Sequence, residues 1–94
     1  MDWSPGGDYP DYNSTKLELL TTEINVGHTF ASLALTTTNE STRFRNRHNA
    51  RKAYNIAVRY AGEVALTNLE KRKIRTGLAR LKSELKLLGE TDFS

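Results

Sequence analysis

A basic run at residues 43–52 offers the most concentrated chemistry in the chain. It reads RFRNRHNARK and contains five Lys or Arg and one His. Cationic side chains at this density can bind phosphate groups, so the run is a candidate nucleic-acid contact. On a helix, however, Arg43, Arg47 and Arg51 recur every four residues and form one row. In an antiparallel bundle this row would lie beside the carbonyl-rich C-termini of the neighbouring helices and beside the acidic C-terminal tail. We therefore predict that these three arginines form a structural charge cluster.

Eight further basic residues of the C-terminal half form two stripes on the predicted solvent-facing sides of two helices. They are Arg45, His48, Lys52 and Arg59 on one helix, and Lys71, Arg75, Lys82 and Lys86 on the next. Adjacent stripes of this kind could bind a nucleic-acid backbone or an acidic segment of another protein. No aromatic ring is interleaved with them to stack on a base, and no recognised nucleic-acid-binding motif is present. Because charged outer faces of small bundles are usually only solvated, nucleic-acid binding is our second interpretation.

Residue types suited to catalysis or metal binding are sparse. The chain has no cysteine, which excludes disulfides, thiolate nucleophiles and Cys-based zinc sites. His28 and His48 fall on different predicted helices, and neither belongs to a His-x-x-x-His or Glu-x-x-His pattern. The sequence also lacks phosphate-binding loops and nucleophile motifs. We therefore predict a protein that is not an enzyme and needs no metal or other cofactor, with His28 hydrogen-bonded at a helix interface.

Charge is distributed unevenly along the chain. Residues 1–39 carry one base and five acids, whereas residues 40–89 carry thirteen Lys or Arg and four acids. With 94 residues, the chain forms a single small domain with a thin core. No apolar stretch approaches the ~20 residues that cross a bilayer, and the acidic start lacks the features of a signal peptide. These features predict a cytoplasmic location and no membrane partner.

Three helices account for the periodic part of the chain, at about residues 15–38, 39–64 and 67–89. Two of them open with a capping box, in which a Thr hydroxyl and a Glu carboxylate satisfy free amides of the first turn. The two boxes are Thr15-x-x-Glu18 and Thr67-x-x-Glu70. Residues 1–14 hold both prolines and show no helical period, which indicates an extended arm. The short connections predict an all-α, antiparallel up-down-up three-helix bundle at 15–89, with the arm before it and a short tail at 90–94.

Each predicted helix has an apolar face. On the first, this face comprises Leu17, Leu20, Ile24, Gly27, Ala31, Ala34 and Leu35. On the second it comprises Ala50, Ala53, Tyr54, Ala57, Val58, Ala61 and Val64, and the many alanines indicate a close approach between helices. On the third it comprises Ile74, Gly77, Leu78, Leu81, Leu85 and Leu88. A glycine inside a helix costs about 1 kcal/mol relative to alanine, so Gly27 and Gly77 predict tight helix crossings, with a kink that shapes a groove as the alternative.

A second apolar row on the first helix is formed by Leu19, Val26, Phe30 and Leu33. The apolar arc of this helix is too wide for the space between the other two helices. An exposed row of this kind usually marks an interface, and a two-fold homodimer is the commonest closed solution. We therefore expect self-association through the first helix. The alternative is that Trp3, Tyr9 and Tyr12 of the arm fold over the same row.

Two segments carry a resemblance to known proteins. NARKAYNIAVRYAG (49–62) and ARLKSELKLLGE (79–90) resemble small uncharacterised bacterial three-helix proteins with an N-A-R-K-A-Y core and a terminal L-K-x-E-L-x-x-L-G-E. The spacing of Ala50, Tyr54 and Ala57 is also similar to that in the helical hairpins of tetratricopeptide repeats and of three-helix MIT domains. Those families act as peptide-binding or adaptor modules. The resemblance covers about half of the chain and implies a helical interaction module, with no individual binding residue.

Overall fold

Three α-helices make up the described part of the chain, residues 12–93 of a computed structural model. They are α1 (Tyr12–Thr36), α2 (Glu40–Ala61) and α3 (Asn68–Leu87), and no strand lies within this range. Asn13, at the start of α1, exchanges hydrogen bonds with the backbone of Ala65, just after α2, at 2.9 and 3.2 Å. Gly27 of α1 lies level with Leu81 of α3, and Arg47 of α2 lies next to Glu90 after α3. The predicted all-α, up-down-up bundle is therefore confirmed.

The starts of α2 and α3 are fixed by side-chain caps, and a glycine marks the end of α3. Asn39 caps α2, because its side-chain oxygen accepts a hydrogen bond from the Thr42 amide at 2.9 Å. Both hydrogen bonds of the predicted capping box at the start of α3 are present, between Thr67 and Glu70. After α3 the chain turns at Gly89, whose φ of +94° is a left-handed conformation that favours glycine. These three boundaries agree with the sequence prediction.

Two predicted boundaries are wrong. Helix α1 begins at Tyr12, so Thr15 lies inside it and does not cap it. The cause is Asn13, whose bonds to Ala65 anchor an additional turn before Thr15. Of the predicted arm, residues 12–14 are helical and residues 1–11, with Trp3 and Tyr9, lie outside the described range. Helix α2 ends at Ala61, before the predicted Val64, in a turn that starts at Gly62.

The core consists of two clusters that follow the predicted faces. One contains Ala31, Ala50, Tyr54, Leu81 and Leu85, and the other contains Leu20, Ile24 and Ala57. Small residues of α1 and α2 meet closely, as expected, and both interior glycines lie at close crossings. Two residues that were predicted to be in the core are exposed instead, Leu35 by 40 % and Val58 by 45 %. Leu35 lies one turn beyond Ala31, level with the end of α3, so α3 does not cover it. Val58 lies beside the narrow face by which α2 contacts the other helices, and that contact does not cover it either.

None of the described helices combines the length and the apolar character that crossing a lipid bilayer requires.

Candidate interaction surfaces

The three arginines of the predicted charge cluster contact the C-terminal ends of α1 and α3. Arg43 donates a hydrogen bond to the Thr37 carbonyl oxygen, just after α1, at 2.9 Å. Arg47 Nε donates to Glu90 Oε2 at 2.5 Å, and the Arg51 guanidinium donates to the carbonyl oxygens of Thr91 and Asp92 at 2.6 and 2.7 Å. The accepting carbonyls of Thr37, Thr91 and Asp92 belong to the segments that follow α1 and α3, so the arginines fasten these segments to α2. For Arg43, which lies in the first turn of α2, the contact also offsets the unfavourable position of a cation near the positive helix N-terminus.

The C-terminal tail folds back onto α2, which the sequence did not indicate. The Phe93 ring packs edge to face on Tyr54, with the ring centroids 5.3 Å apart. The Arg51 guanidinium lies 4.2 Å from the Phe93 centroid, and the Lys82 ammonium lies 5.4 Å from it. Phe93 thus covers one end of the groove between α2 and α3. A single aromatic ring after a helix-terminating glycine has no periodic signal, so sequence patterns could not detect this contact.

The predicted self-association row on α1 is largely exposed to solvent. Leu19 is 42 % exposed, Val26 37 % and Leu33 48 %. These three residues are seven positions apart, so they form a stripe about 21 Å long on one side of the helix. Phe30, the fourth member, is only half-buried and packs against the core cluster around Ala31. Phe30 therefore also belongs to the fold, and the exposed row is best defined as Leu19, Val26 and Leu33, the α1 row.

The four basic residues predicted on α2 are exposed and lie away from α3. Arg45, His48 and Lys52 have exposed side chains, and Arg59 lies 3.7 Å from Glu63 in an ion pair. At 100° per residue, all four lie on the side of α2 opposite the buried alanines. An aromatic ring lies beside them, because Phe44 is 72 % exposed and stands one helical turn before His48. The expectation that no ring is interleaved with the basic residues is wrong.

Helix α3 carries seven basic residues and no carboxylate on its solvent-facing side. They are the predicted Lys71, Arg75, Lys82 and Lys86, together with Arg72, Lys73 and Arg80. None of the seven forms an ion pair with a carboxylate of residues 12–93. The two acidic residues of α3 are both engaged: Glu70 in the capping box and Glu84 with His28. The result is an uncompensated cationic face on α3.

The predicted stripes of α2 and α3 do not form one continuous surface. A shallow groove between the two helices is lined on the α3 side by Lys71, Arg75 and Lys82. On its α2 side it is lined by apolar parts of Tyr54 and Ala61. The basic residues of α2 therefore lie around the outside of that helix, and the two stripes remain separate.

His28 occupies the kind of position that the sequence predicted. Its Nδ1 hydrogen-bonds with Glu84 Oε1, and both side chains are largely buried between α1 and α3. Within residues 12–93, no group of three or more potential ligands could hold a metal ion. The hydrogen bond between His28 and Glu84 joins α1 to α3 and occupies Nδ1 of His28.

No protein-family model, curated protein or solved structure matches the chain. The resemblance to small bacterial three-helix proteins and to adaptor hairpins therefore stays a prediction.

Proposed function

We propose that this chain is a non-enzymatic helical interaction module that self-associates through α1. The observation that supports the proposal is the exposure of Leu19, Val26 and Leu33 along one stripe. Exposed apolar rows on small proteins are typical of interfaces. A second copy is a suitable partner because a stripe of identical spacing can pair with itself about a two-fold axis. Pairing would also enlarge a core that is thin for a domain of this size.

The test combines two acidic substitutions in the α1 row, Leu19→Glu with Leu33→Glu. We expect the wild-type chain to form a dimer and the double variant to be a monomer with unchanged helicity, as measured by sedimentation equilibrium and circular dichroism. Phe30→Glu is a poorer test, because Phe30 packs against the core and its replacement would also destabilise the fold.

A matched control is Leu69→Glu with Leu87→Glu on α3, where the two leucines are 58 % and 76 % exposed. This control should leave the dimer intact. A wild-type chain that stays monomeric at high micromolar concentration would contradict the proposal. Dissociation by the control pair alone would place the interface on α3 and also contradict it.

The cationic face of α3 favours a second candidate function, the binding of nucleic acid by an accessory protein. Its seven cations, which form no ion pair within residues 12–93, can neutralise phosphates, with release of counterions. The sequence predicts nucleic-acid binding by the basic stripes of α2 and α3 together. Because the two stripes are separate, we assign the binding to α3.

The expected result for this second function is an affinity for single-stranded oligonucleotides that falls steeply as salt increases. Replacing Lys71 and Arg75 by Ala should weaken binding to every sequence, as measured by fluorescence anisotropy. A control with the same change in net charge is Thr22→Glu with Ser32→Glu, at exposed positions of α1. Equal losses for the two pairs would assign the effect to net charge alone, and absent binding at low salt would eliminate this function.

A further inference from the structure

A groove of about 710 Å³ runs along the side of the bundle between α1 and α3. This volume lies within the ~300–1,000 Å³ range of ligand-binding clefts. Leu17 and Ile24 of α1, with Ile74 of α3, form its apolar lining, and Gly77 contributes no side chain to it. A Cβ atom on Gly77 would lie 3.1 Å from Ile24, so the two helices already meet at the bottom of the groove. The surface suits an extended segment with apolar side chains.

The α3 wall of this groove carries three cations and one carboxylate, Glu70, which is held in the capping box at the start of α3. Arg72, Lys73 and Arg80 line it, and none of them pairs with a carboxylate of residues 12–93. The α1 wall contributes the neutral side chains of Thr21 and Asn25, and His28, which is hydrogen-bonded to Glu84, lies at its far end. An apolar floor beside a cationic wall is complementary to a segment that combines aromatic and acidic side chains.

We propose that residues 1–11 of this chain, MDWSPGGDYPD, dock in the groove between α1 and α3. The segment contains three Asp, the aromatic residues Trp3 and Tyr9, and no Lys or Arg. It joins α1 at Tyr12, little more than one turn before Leu17, where the groove begins. Eleven extended residues span about 36 Å, whereas the groove from Leu17 to His28 is about 16 Å long. The segment is therefore long enough to cover the whole groove.

Charge favours this groove over the α1 row as the docking surface. The row has Glu23 beside it, one turn from both Leu19 and Val26, and this carboxylate repels an acidic segment. Glu18 lies between the row and the groove and does not distinguish them. Lys16 is the only base of α1, and it already lies 3.9 Å from Glu63. Docking in the groove buries the aromatic rings and places the Asp residues beside Arg72, Lys73 and Arg80. It also leaves the α1 row free, so this proposal is independent of self-association.

The test uses the fluorescence of Trp3, the only tryptophan of the chain. In the full-length protein we expect blue-shifted emission and weak quenching by acrylamide, because a docked indole is shielded from water. Lys73→Glu with Arg80→Glu should shift the emission to longer wavelength and raise the quenching constant severalfold. Lys71→Glu with Arg75→Glu makes the same change in charge on the other edge of α3 and should leave Trp3 unaffected.

If a charge-reversal variant loses helicity in circular dichroism, a variant that changes only residues 1–11 provides the test. Asp8→Asn with Asp11→Asn changes only the segment and should also raise the quenching constant. Solvent-exposed Trp3 in the wild-type chain would overturn the proposal, as would equal responses to the two reversal pairs. Shielding that is lost in Leu19→Glu with Leu33→Glu would place the segment on the α1 row instead. Shielding that develops only as protein concentration rises would place it on another copy; both results contradict docking within one chain.

Discussion

Replacing Gly27 by Val should destabilise the bundle by about 3 kcal/mol, near the upper end of the usual cost of overpacking a core. A Cβ atom at this position would lie 2.5 Å from Leu81 Cδ2 and 3.4 Å from Ala53 Cβ. Leu81 is fully buried, so its side chain can move aside only by displacing other core side chains. The free energy of unfolding, measured by chemical denaturation at one fixed protein concentration, checks this expectation. The concentration must be fixed because dimerisation would add to the apparent stability.

Gly62→Val is the matched control for the glycine itself. Gly62 is exposed, has an ordinary helical φ of −78°, and the nearest atom to an added Cβ would be 3.5 Å away. Its replacement should change stability by no more than about 0.5 kcal/mol. A second check is Leu81→Ala, which alone should cost about 2–5 kcal/mol. Combined with Gly27→Val it should cost less than the sum, because the valine occupies the vacated space; strict additivity would contradict the close crossing.

The caps of α2 and α3 could be predicted because each depends on residues close together in sequence, and the glycine crossings could be predicted because each glycine stands within a periodic apolar stripe. Thr67 and Glu70 form a box within one turn, and Gly27 stands in a stripe of apolar residues that repeats along α1. The start of α1 could not be predicted in this way. It depends on Asn13 contacting Ala65, fifty-two positions away, and no local pattern indicates such a contact.

The surfaces were predicted unevenly for the same reason. The apolar α1 row and the cationic stripe of α3 follow from helical periodicity, which assigns each residue to a side of its helix. Periodicity does not show which helix packs against each side of another helix, so the sequence did not indicate that the two basic stripes are separate. It also missed Phe44 as an exposed ring, because an aromatic residue in a helical run is more often part of a core.

The C-terminal tail leads to the second prediction with a large expected effect. Arg51→Ala should lower the free energy of unfolding by about 2 kcal/mol, since hydrogen bonds to charged groups contribute about 1.5–3 kcal/mol each. The Arg51 side chain is only 19 % exposed and contacts Glu90, Thr91 and Asp92, as well as the Phe93 ring. Arg51 therefore makes more contacts with the tail than Arg47 does, and its loss should be the more costly of the two. Chemical denaturation of both variants measures the difference.

Arg45→Ala is the appropriate control, because Arg45 has the same charge on the same helix and is exposed. Lys82 is less suitable, since its ammonium lies 5.4 Å from the Phe93 ring. Arg45→Ala should change stability by no more than about 0.5 kcal/mol. Phe93→Ala should remove part of the benefit of Arg51, so the double variant should lose less than the sum of the single losses. If Arg51→Ala and Arg45→Ala had equally small effects, the arginines would not be structural. The basic run at 43–52 would then be free to bind a partner, as its composition first indicated.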